Sequence, residues 1–362
     1  MKTSQYFKIG KKKLNEKSQP FFVAEIGINF NGSLEIAKQN ILMAKKYGAD
    51  SVKFQYYKTN DFLSNKNLKL KFKIKKKIVV KTQFEIFKKN ELSFKNLRAL
   101  KDYADMLNIN FHATPTNERG VDELIDIGVK YIKNGSDFLT HTDLLKKVAL
   151  HKLPIIISTG MSTVKDISYA LSFFQEYNRQ NIILLHCVSN YPTMDKDANL
   201  SRINSLRKKF KILIGYSDHT IGNDSAIIAK SFGSVWFEKH FTINNDFDGP
   251  DQNFSSNPEN FLLYKKNVLE CRKNFIDQKK RIMLLGNGNI NFNNNEKISR
   301  REFTLSCVSK KNLPINTVLN ESHITFKRPG TGLKPYMADQ LIGKRLKKSI
   351  KKDVMFKKFF LK

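Results

Sequence analysis

The sequence predicts an α/β protein: a (β/α)8 barrel followed by a small, mostly-β module. Three observations carry that expectation. Eight strand-like apolar runs recur within roughly the first 280 residues, each followed by a stretch with helical spacing. An Asn- and Gly-rich stretch without apolar periodicity, LGNGNINFNNNEKIS, then breaks the pattern and reads as a linker. Beyond it only short apolar segments remain, broken by Pro, Gly and Asn, which suits a compact β module better than another barrel unit. The expected boundaries are 1–283 for the barrel, 284–298 for the linker and 299–362 for the module.

In order, the strand candidates are FFVAEIG, SVKFQYY, INFHATP, KYIKNGS, PIIISTG, IILLHCVS, KILIGYSD and VWFEKHFT. Between them lie the helical stretches LEIAKQNILMAKKYG, FKNLRALKDYADMLN, GVDELIDIG, TDLLKKVALH, VKDISYALSFFQEYN, LSRINSLRKKF and NDSAIIAKSFG, and PENFLLYKKNVLECRKNFI follows the last strand. An open doubly wound sheet is the competing architecture. It uses fewer units and a glycine-rich turn after its first strand, and GINFNGS matches that fingerprint poorly.

Composition narrows the function classes. A chain of 362 residues that is 40% hydrophobic and 11% aromatic can bury a sizeable core, which excludes wholesale disorder. Cys187, Cys271 and Cys307 are far apart and form no CxxC pair, so neither a disulfide framework nor a structural zinc site is expected. No apolar run has the length of a bilayer span, and the basic start lacks the apolar core of a signal peptide, so a cytoplasmic protein is expected. The net charge of +31, from 64 Lys+Arg against 33 Asp+Glu, raises nucleic acid or an anionic surface as partner. The run LKLKFKIKKKIVV is the best support for that, yet the same alternation describes a two-faced edge strand with a solvated lysine row. Lys, Asn, Ile and Phe are abundant throughout, and no zinc-finger, RNP or KH pattern occurs, so no specific nucleic-acid partner is expected.

In a (β/α)8 barrel the reactive face lies at the C-terminal ends of the strands. The polar residues there are Glu25, Lys53, Gln55, Thr114, Lys133, Ser136, Ser158, Thr159, His186, Ser217, His219, Glu238 and His240. Side chains two apart on a strand share a face, so Lys53/Gln55, Ser217/His219 and Glu238/His240 can each point inward together. Two lysines with several hydroxyls and the backbone amides near STG suit a phosphorylated, carboxylated anion. Two imidazoles from neighbouring strands, with other positions open, suit a catalytic divalent metal. Glu25 supplies an acid or base. Any one of these taken alone is an ordinary polar cap on a strand end; the complete ring is not.

At these residues the chain resembles the sialic acid synthase family, which includes synthases of N-acetylneuraminate, legionaminate and pseudaminate. FFVAEIGINFNG, GADSVKFQ, IKNGSDFLTHTDLL, PIIISTGMST, LLHCVSNYPT, GYSDHTIG, FEKHFT, GPD and FKRPGTG carry the resemblance, in that order and over nearly the whole chain. FKRPGTG lies in a module similar to the antifreeze-like (SAF) domain of that family. The resemblance implies condensation of phosphoenolpyruvate with an open-chain N-acetylmannosamine-type sugar to a nine-carbon 2-keto acid and phosphate. It implies a divalent metal on His219 and His240, typically Mn2+ with Mg2+ or Co2+ as alternatives, and Glu25 as the acid/base. Lys53, Thr114, Lys133, Ser136, Ser158 and Ser217 would bind phosphoenolpyruvate; Gln55, Tyr191 and Asp251 would face the sugar. Arg328 would reach the barrel of a partner subunit in a domain-swapped homodimer, with the linker spanning subunits instead of folding back. Glu238 is left as a further metal ligand, a residue behind the ligands or a salt-bridge partner.

Three positions depart from the family. Phe30 and Gln252 stand where His is usual, and Ser189 where some members carry an Asn that contacts the sugar. They keep two other outcomes open: a legionaminate- or pseudaminate-type synthase using a 2,4-diacetamido-2,4,6-trideoxy hexose, and a catalytically weakened basic protein that binds anions or nucleic acid.

Overall fold

Alternation within the strands decides the architecture. In the computed structural model, which describes residues 6–74, 77–174, 181–271 and 276–362, all eight expected runs form parallel strands. They are β1 (Phe21–Gly27), β2 (Ser51–Tyr56), β3 (Asn110–Pro115), β4 (Ile132–Asn134), β5 (Ile155–Ser158), β6 (Ile182–Cys187), β7 (Leu213–Asp218) and β8 (Trp236–His240). The ladder order is β3-β2-β1-β8-β7-β6-β5-β4, and β3 and β4 lie side by side at the remaining seam, so the sheet curls into a nearly closed barrel. The predicted helical residues 175–178 and 272–275, and Lys75 and Lys76 of the lysine-rich run, lie outside the described residues.

Period two sorts each strand into an inner and an outer set. Phe21, Val23, Tyr131, Ile156, Ile183, Leu185, Leu213 and Trp236 point inward and pack into one cluster. Their outward neighbours, among them Phe22, Val52, Phe54, Phe111, Ile157, Leu184, Ile214 and Phe237, join the apolar faces of the surrounding helices in a second, larger cluster. Helix starts follow the sequence closely, because Ser33, Ser93, Asn117, Thr163 and Asn257 each accept a hydrogen bond from an otherwise unpaired first-turn amide. Gly215 faces the barrel axis. A Cβ there would lie 2.5 Å from a Leu185 methyl and 2.7 Å from Trp236 Cβ, so the missing side chain makes room for the indole.

Two hairpins were not separate elements in the sequence reading. Phe7–Ile9 and Lys12–Leu14 pair antiparallel under the barrel floor, where the Phe7 ring meets Tyr131 and Trp236 edge-on at 5.9 Å. Between β2 and β3, Lys69–Ile74 pairs with Lys77–Thr82 and with no other strand. Its exposed Lys69, Lys71 and Lys73 alternate with half-buried Leu70, Phe72 and Ile74, the two-faced reading of the lysine-rich run.

The C-terminal module is built on β9 (Ser306–Ser309) and β10 (Ile324–Lys327), antiparallel, with isolated bridges for the rest of its pairing. Leu305, Cys307, Phe326, Leu346 and Phe356 merge with the outer apolar cluster of the barrel. The segment leading to it is more ordered than its composition suggests: helix Gln278–Leu285, a pinned crossing, then a second helix at Glu296–Phe303. The crossing is held by Arg202, whose Nε donates to Asn289 O at 2.9 Å, and by Asn199, which accepts from Gly288 N at 2.7 Å. Within the single chain described, the linker lies against its own barrel. Arg328 N donates to Phe62 O at 2.8 Å, and Arg328 O accepts from Ser64 N at 3.0 Å, so the arginine comes to the mouth of its own barrel. The physical reason is that the polar backbone of the crossing finds its partners on Asn199 and Arg202, a short reach away.

Gly215→Ala tests the inner packing. Overfilling the space beside Trp236 is expected to cost about 1–3 kcal/mol, read as a lower midpoint in urea unfolding.

Candidate active site

Strand register brings the site together. Across neighbouring strands Glu25 stands level with Lys53 and with His240, Ser217 with Glu238, and Cys187 with Ser217. All point to the axis at the C-terminal end, above the apolar inner cluster. A register shift between Glu25 and Gly27 helps to aim the carboxylate, and Gly27 holds φ +53° there. A Cβ at Gly27 would stand 2.9 Å from Glu25 Oε1, so the position requires glycine on both counts.

At the base, four buried charges alternate in sign. Lys53 Nζ lies 2.7 Å from Glu25 Oε2 and 3.5 Å from Glu238 Oε1. Lys133 Nζ lies 2.9 and 3.1 Å from the two oxygens of Glu238, and Ser217 Oγ donates to Oε1 at 3.3 Å. Glu238, whose role the sequence left open, is thus a salt-bridge partner of both lysines. Burial works against its charge, but Lys133 and Lys53 outweigh burial and hold the carboxyl well below the usual range. Glu25 goes the other way: burial, reinforced by the Glu238 charge, holds its carboxyl above the usual range despite Lys53. Two carboxylates on one lysine are therefore driven apart, one firmly ionised and one ready to carry a proton. Burial also pulls the Lys133 ammonium below its ordinary value.

Around this base sit small hydroxyls. Ser136 Oγ accepts from Gly160 N at 3.0 Å, and Thr114 Oγ1 is 3.5 Å from Lys53 Nζ. Ser158 is buried facing the same space, and Ser189 Oγ is buried without a partner. Gly160 closes the group, for a Cβ there would be 2.3 Å from Ser189 Oγ and 2.9 Å from Ser136 Oγ.

Above them His219 and His240 bring their rings to a centroid separation of 5.4 Å. Burial depresses both imidazoles, so both are neutral near pH 7. His219 Nδ1 donates to Val188 O at 2.7 Å, which leaves the Nε2 lone pair free, and His240 Nδ1 is a buried nitrogen without a hydrogen bond. That is the donor chemistry a divalent transition metal takes, with the far nitrogen of one ring fixed by a backbone carbonyl. Among the described residues no three His, Cys, Asp or Glu side chains form a complete ligand set. Asp251 Oδ2 stands 3.8 Å from His240 Nδ1, and burial together with Glu25 pushes its carboxyl up to about 7.

The rim is aromatic and cationic. The Tyr191 ring lies 4.3 Å from that of His219 and 5.5 Å from Phe254. Arg328 is paired with Asp137 and donates to Gln83 Oε1 at 3.3 Å. Its guanidinium is 4.8 Å from the Phe62 ring and 5.2 Å from Phe303, with Phe87 and Phe138 at 5.3 and 5.8 Å. The whole encloses about 880 Å³.

Every residue nominated from the sequence as acid/base, phosphate-side, sugar-side or metal-binding lines this one cavity: Glu25, Lys53, Gln55, Thr114, Lys133, Ser136, Ser158, Tyr191, Ser217, His219, His240, Asp251 and Arg328. Two other strand-end residues turn away. His186 stacks on Tyr216 outside the barrel and bonds Ala198 O at 2.7 Å, and Thr159 Oγ1 donates to Leu185 O at 2.8 Å. The departures Phe30 and Gln252 also lie off the cavity. Phe30 packs on Phe54 at 5.9 Å, and Gln252 Nε2 donates to Asn29 O at 2.9 Å, so both support the β1 loop; Ser189 does line the cavity. Asp137 and Glu296 were missed, and Lys69, Lys71 and Lys73 of the hairpin, which also line the cavity, were read only as a solvated lysine row. Asp137 stood in plain view in NGSDFLTH, whereas Glu296 sat in a stretch whose composition signals only a linker.

Comparison with known proteins supplies an independent line. The NeuB family model matches residues 40–280 and the SAF domain model residues 306–358. The N,N'-diacetyllegionaminic acid synthase of Campylobacter jejuni is 34% identical over 337 residues, 92% of this chain and 98% of that protein. Among solved structures, the spore coat polysaccharide biosynthesis protein spsE of Bacillus subtilis superposes with a TM-score of 0.82 at 26% identity, covering 99% of both chains. The N-acetylneuraminic acid synthetase of Leptospira borgpetersenii, in complex with citrate, gives 0.67 at 30% identity over 82% of this chain and 95% of that one.

Removing Glu238 leaves Lys53 paired with Glu25 alone and takes away the carboxylate that Lys133 pairs with. Glu238→Ala is expected to lower stability by about 3–5 kcal/mol, measured by denaturant unfolding. The double replacement Glu238→Met with Lys133→Met removes both partners of a pair and is expected to lose less.

Proposed function

This chain belongs to the NeuB family, and we propose that it joins phosphoenolpyruvate to the open-chain form of an N-acetylmannosamine-type sugar, giving a nine-carbon 2-keto acid and inorganic phosphate. The observation that carries the reading is the alternating Glu25–Lys53–Glu238–Lys133 array lying directly beneath two neutral imidazoles. Phosphoenolpyruvate brings a carboxylate and a phosphate. Lys53 and Lys133, with the hydroxyls of Thr114, Ser136, Ser158 and Ser217, offset those charges where water is excluded.

In the reaction C3 of phosphoenolpyruvate forms a bond to the sugar's aldehyde carbon, water adds at C2, and the C2–O bond to phosphate breaks to leave the ketone. Glu25, whose carboxyl is held above the usual range by burial, takes the proton of the attacking water or gives one to the new sugar hydroxyl. Glu238 stays ionised throughout and keeps both ammonium groups aimed inward. Gln55, Tyr191 and Asp251 face the sugar, with Arg328 at the rim. His219 and His240 are the residues that would hold a divalent metal, Mn2+ in this reading, which supplies Lewis acidity toward a carbonyl oxygen when bound. The expected homodimer belongs to the same proposal.

A second reading of the sugar has its own support. The 34% identity to a protein named as an N,N'-diacetyllegionaminic acid synthase favours a 2,4-diacetamido-2,4,6-trideoxy hexose. Phosphate release from phosphoenolpyruvate with Mn2+, offering that sugar and N-acetylmannosamine separately, decides between them. Release with one sugar, abolished by chelation and lowered at least about 100-fold by His219→Ala, is the expected result. No release with either sugar overturns the reading.

A further inference from the structure

The turn after β5 is held in an unusual way. Met161 has φ +55°, the left-handed conformation that L side chains avoid. Both of its backbone groups are gripped by one helix of the segment that leads to the C-terminal module. Met161 N donates to Glu296 Oε1 at 2.9 Å, and Met161 O accepts from Arg300 Nη1. Arg300 is also 2.9 Å from Asp166, in the helix that begins just after the turn. The same Glu296 oxygen accepts from Ser189 N, in the loop after β6, again at 2.9 Å. Glu296 is fully buried. A carboxylate removed from water in this way is stable only because its lone pairs are taken up by fixed N–H groups.

What the grip holds faces the cavity. Ser136 Oγ accepts from Gly160 N, one residue before Met161, and Ser189 Oγ is buried and unpartnered beside it. Three loops, after β4, β5 and β6, thus meet at Gly160 with their hydroxyls directed to one place, and one carboxylate fastens two of them. We infer that Glu296, assisted by Arg300, is a positioning residue that fixes the Gly160 turn, and with it the phosphate-side Ser136 and Ser158, for their anionic ligand. The catalytic barrel thereby depends on the segment that joins it to the C-terminal module. The inference rests on the phosphoenolpyruvate reading of the site.

The test uses the full chain and phosphoenolpyruvate as probe, with binding followed by calorimetry and turnover by phosphate release. Glu296→Ala is expected to weaken phosphoenolpyruvate binding and raise its KM about 10–100-fold, with a much smaller change in the KM for the sugar. Glu296→Gln keeps the oxygen that accepts from Met161 N and Ser189 N, at the cost of the bond from Asn293 N to Oε2, and is expected to recover part of the affinity, a rescue that general loosening of the fold would not give. Arg300→Ala, which leaves the Glu296 bonds to Met161 and Ser189 in place, is expected to raise the same KM about 3–10-fold and serves if Glu296→Ala does not fold. A folded Glu296→Ala with unchanged phosphoenolpyruvate affinity overturns the inference alone. So does an unchanged KM in Arg300→Ala if Glu296→Ala cannot be folded, and so does a Gln variant as impaired as the Ala variant. A wild-type chain that does not bind phosphoenolpyruvate overturns the reading of the site and this inference with it.

Discussion

The site depends on keeping two acids and two lysines dry at the end of a barrel. Each ion loses several kcal/mol of hydration on burial, and the cost is tolerable only because the signs alternate, Glu25 to Lys53 to Glu238 to Lys133. Glu238 is the centre of the array, touching both ammonium groups and a serine hydroxyl. Its position is set by register: Glu238 is level with Ser217 on β7 and Val23 on β1, so a slip of one residue on β8 would turn it to the outer, apolar face. The apolar layer of Trp236, Tyr131, Leu185 and Ile183 beneath it fixes that register. Burial therefore serves both stability and chemistry, since the same dryness that penalises the charges separates the proton affinities of the two carboxyls.

Much of this was legible from the residues. The eight apolar runs became the eight strands, and period two put Lys53 with Gln55 and Glu238 with His240 on the inner face. The nominated cavity residues converge because a barrel brings all its strand ends to one rim, so a linear list of strand-end polar groups becomes a spatial one. The failures share a cause. Phe30, Gln252 and His186 were judged by their place in the chain, yet which way a side chain points at a strand end depends on loop geometry and on its neighbours. His186 is an odd-numbered step from Cys187 and faces the helices; Gln252 spends its amide on the Asn29 carbonyl. Glu238 could not be assigned because its partners lie on other strands. Glu296 was hidden because polar linkers and polar straps have the same composition.

The segment after the barrel shows how an aperiodic stretch can be ordered without an apolar face. Its backbone is satisfied by side chains of the barrel, and two of its charged residues, Glu296 and Arg300, return the service to barrel backbone. At its far end Arg328 sits among four phenylalanine rings and is paired with Asp137, so a cation forms the hinge-pin between two apolar surfaces. Part of the +31 charge resides on the exposed Lys69, Lys71 and Lys73 of the hairpin that edges the cavity.

The N-terminal hairpin beneath the barrel has a consequence for traffic. With Phe7 wedged against Tyr131 and Trp236, the floor is sealed, and the cavity is a blind well. Whatever binds at the lysines must pass the imidazoles and the Tyr191 rim on its way down, and must leave by the same route. In the proposed reaction both reactants share this one mouth, so the reactant bound at the lysines would enter ahead of the one bound nearer the rim. The hairpin of Phe7–Ile9 and Lys12–Leu14 backs the packed barrel core at the opposite end, far from that mouth.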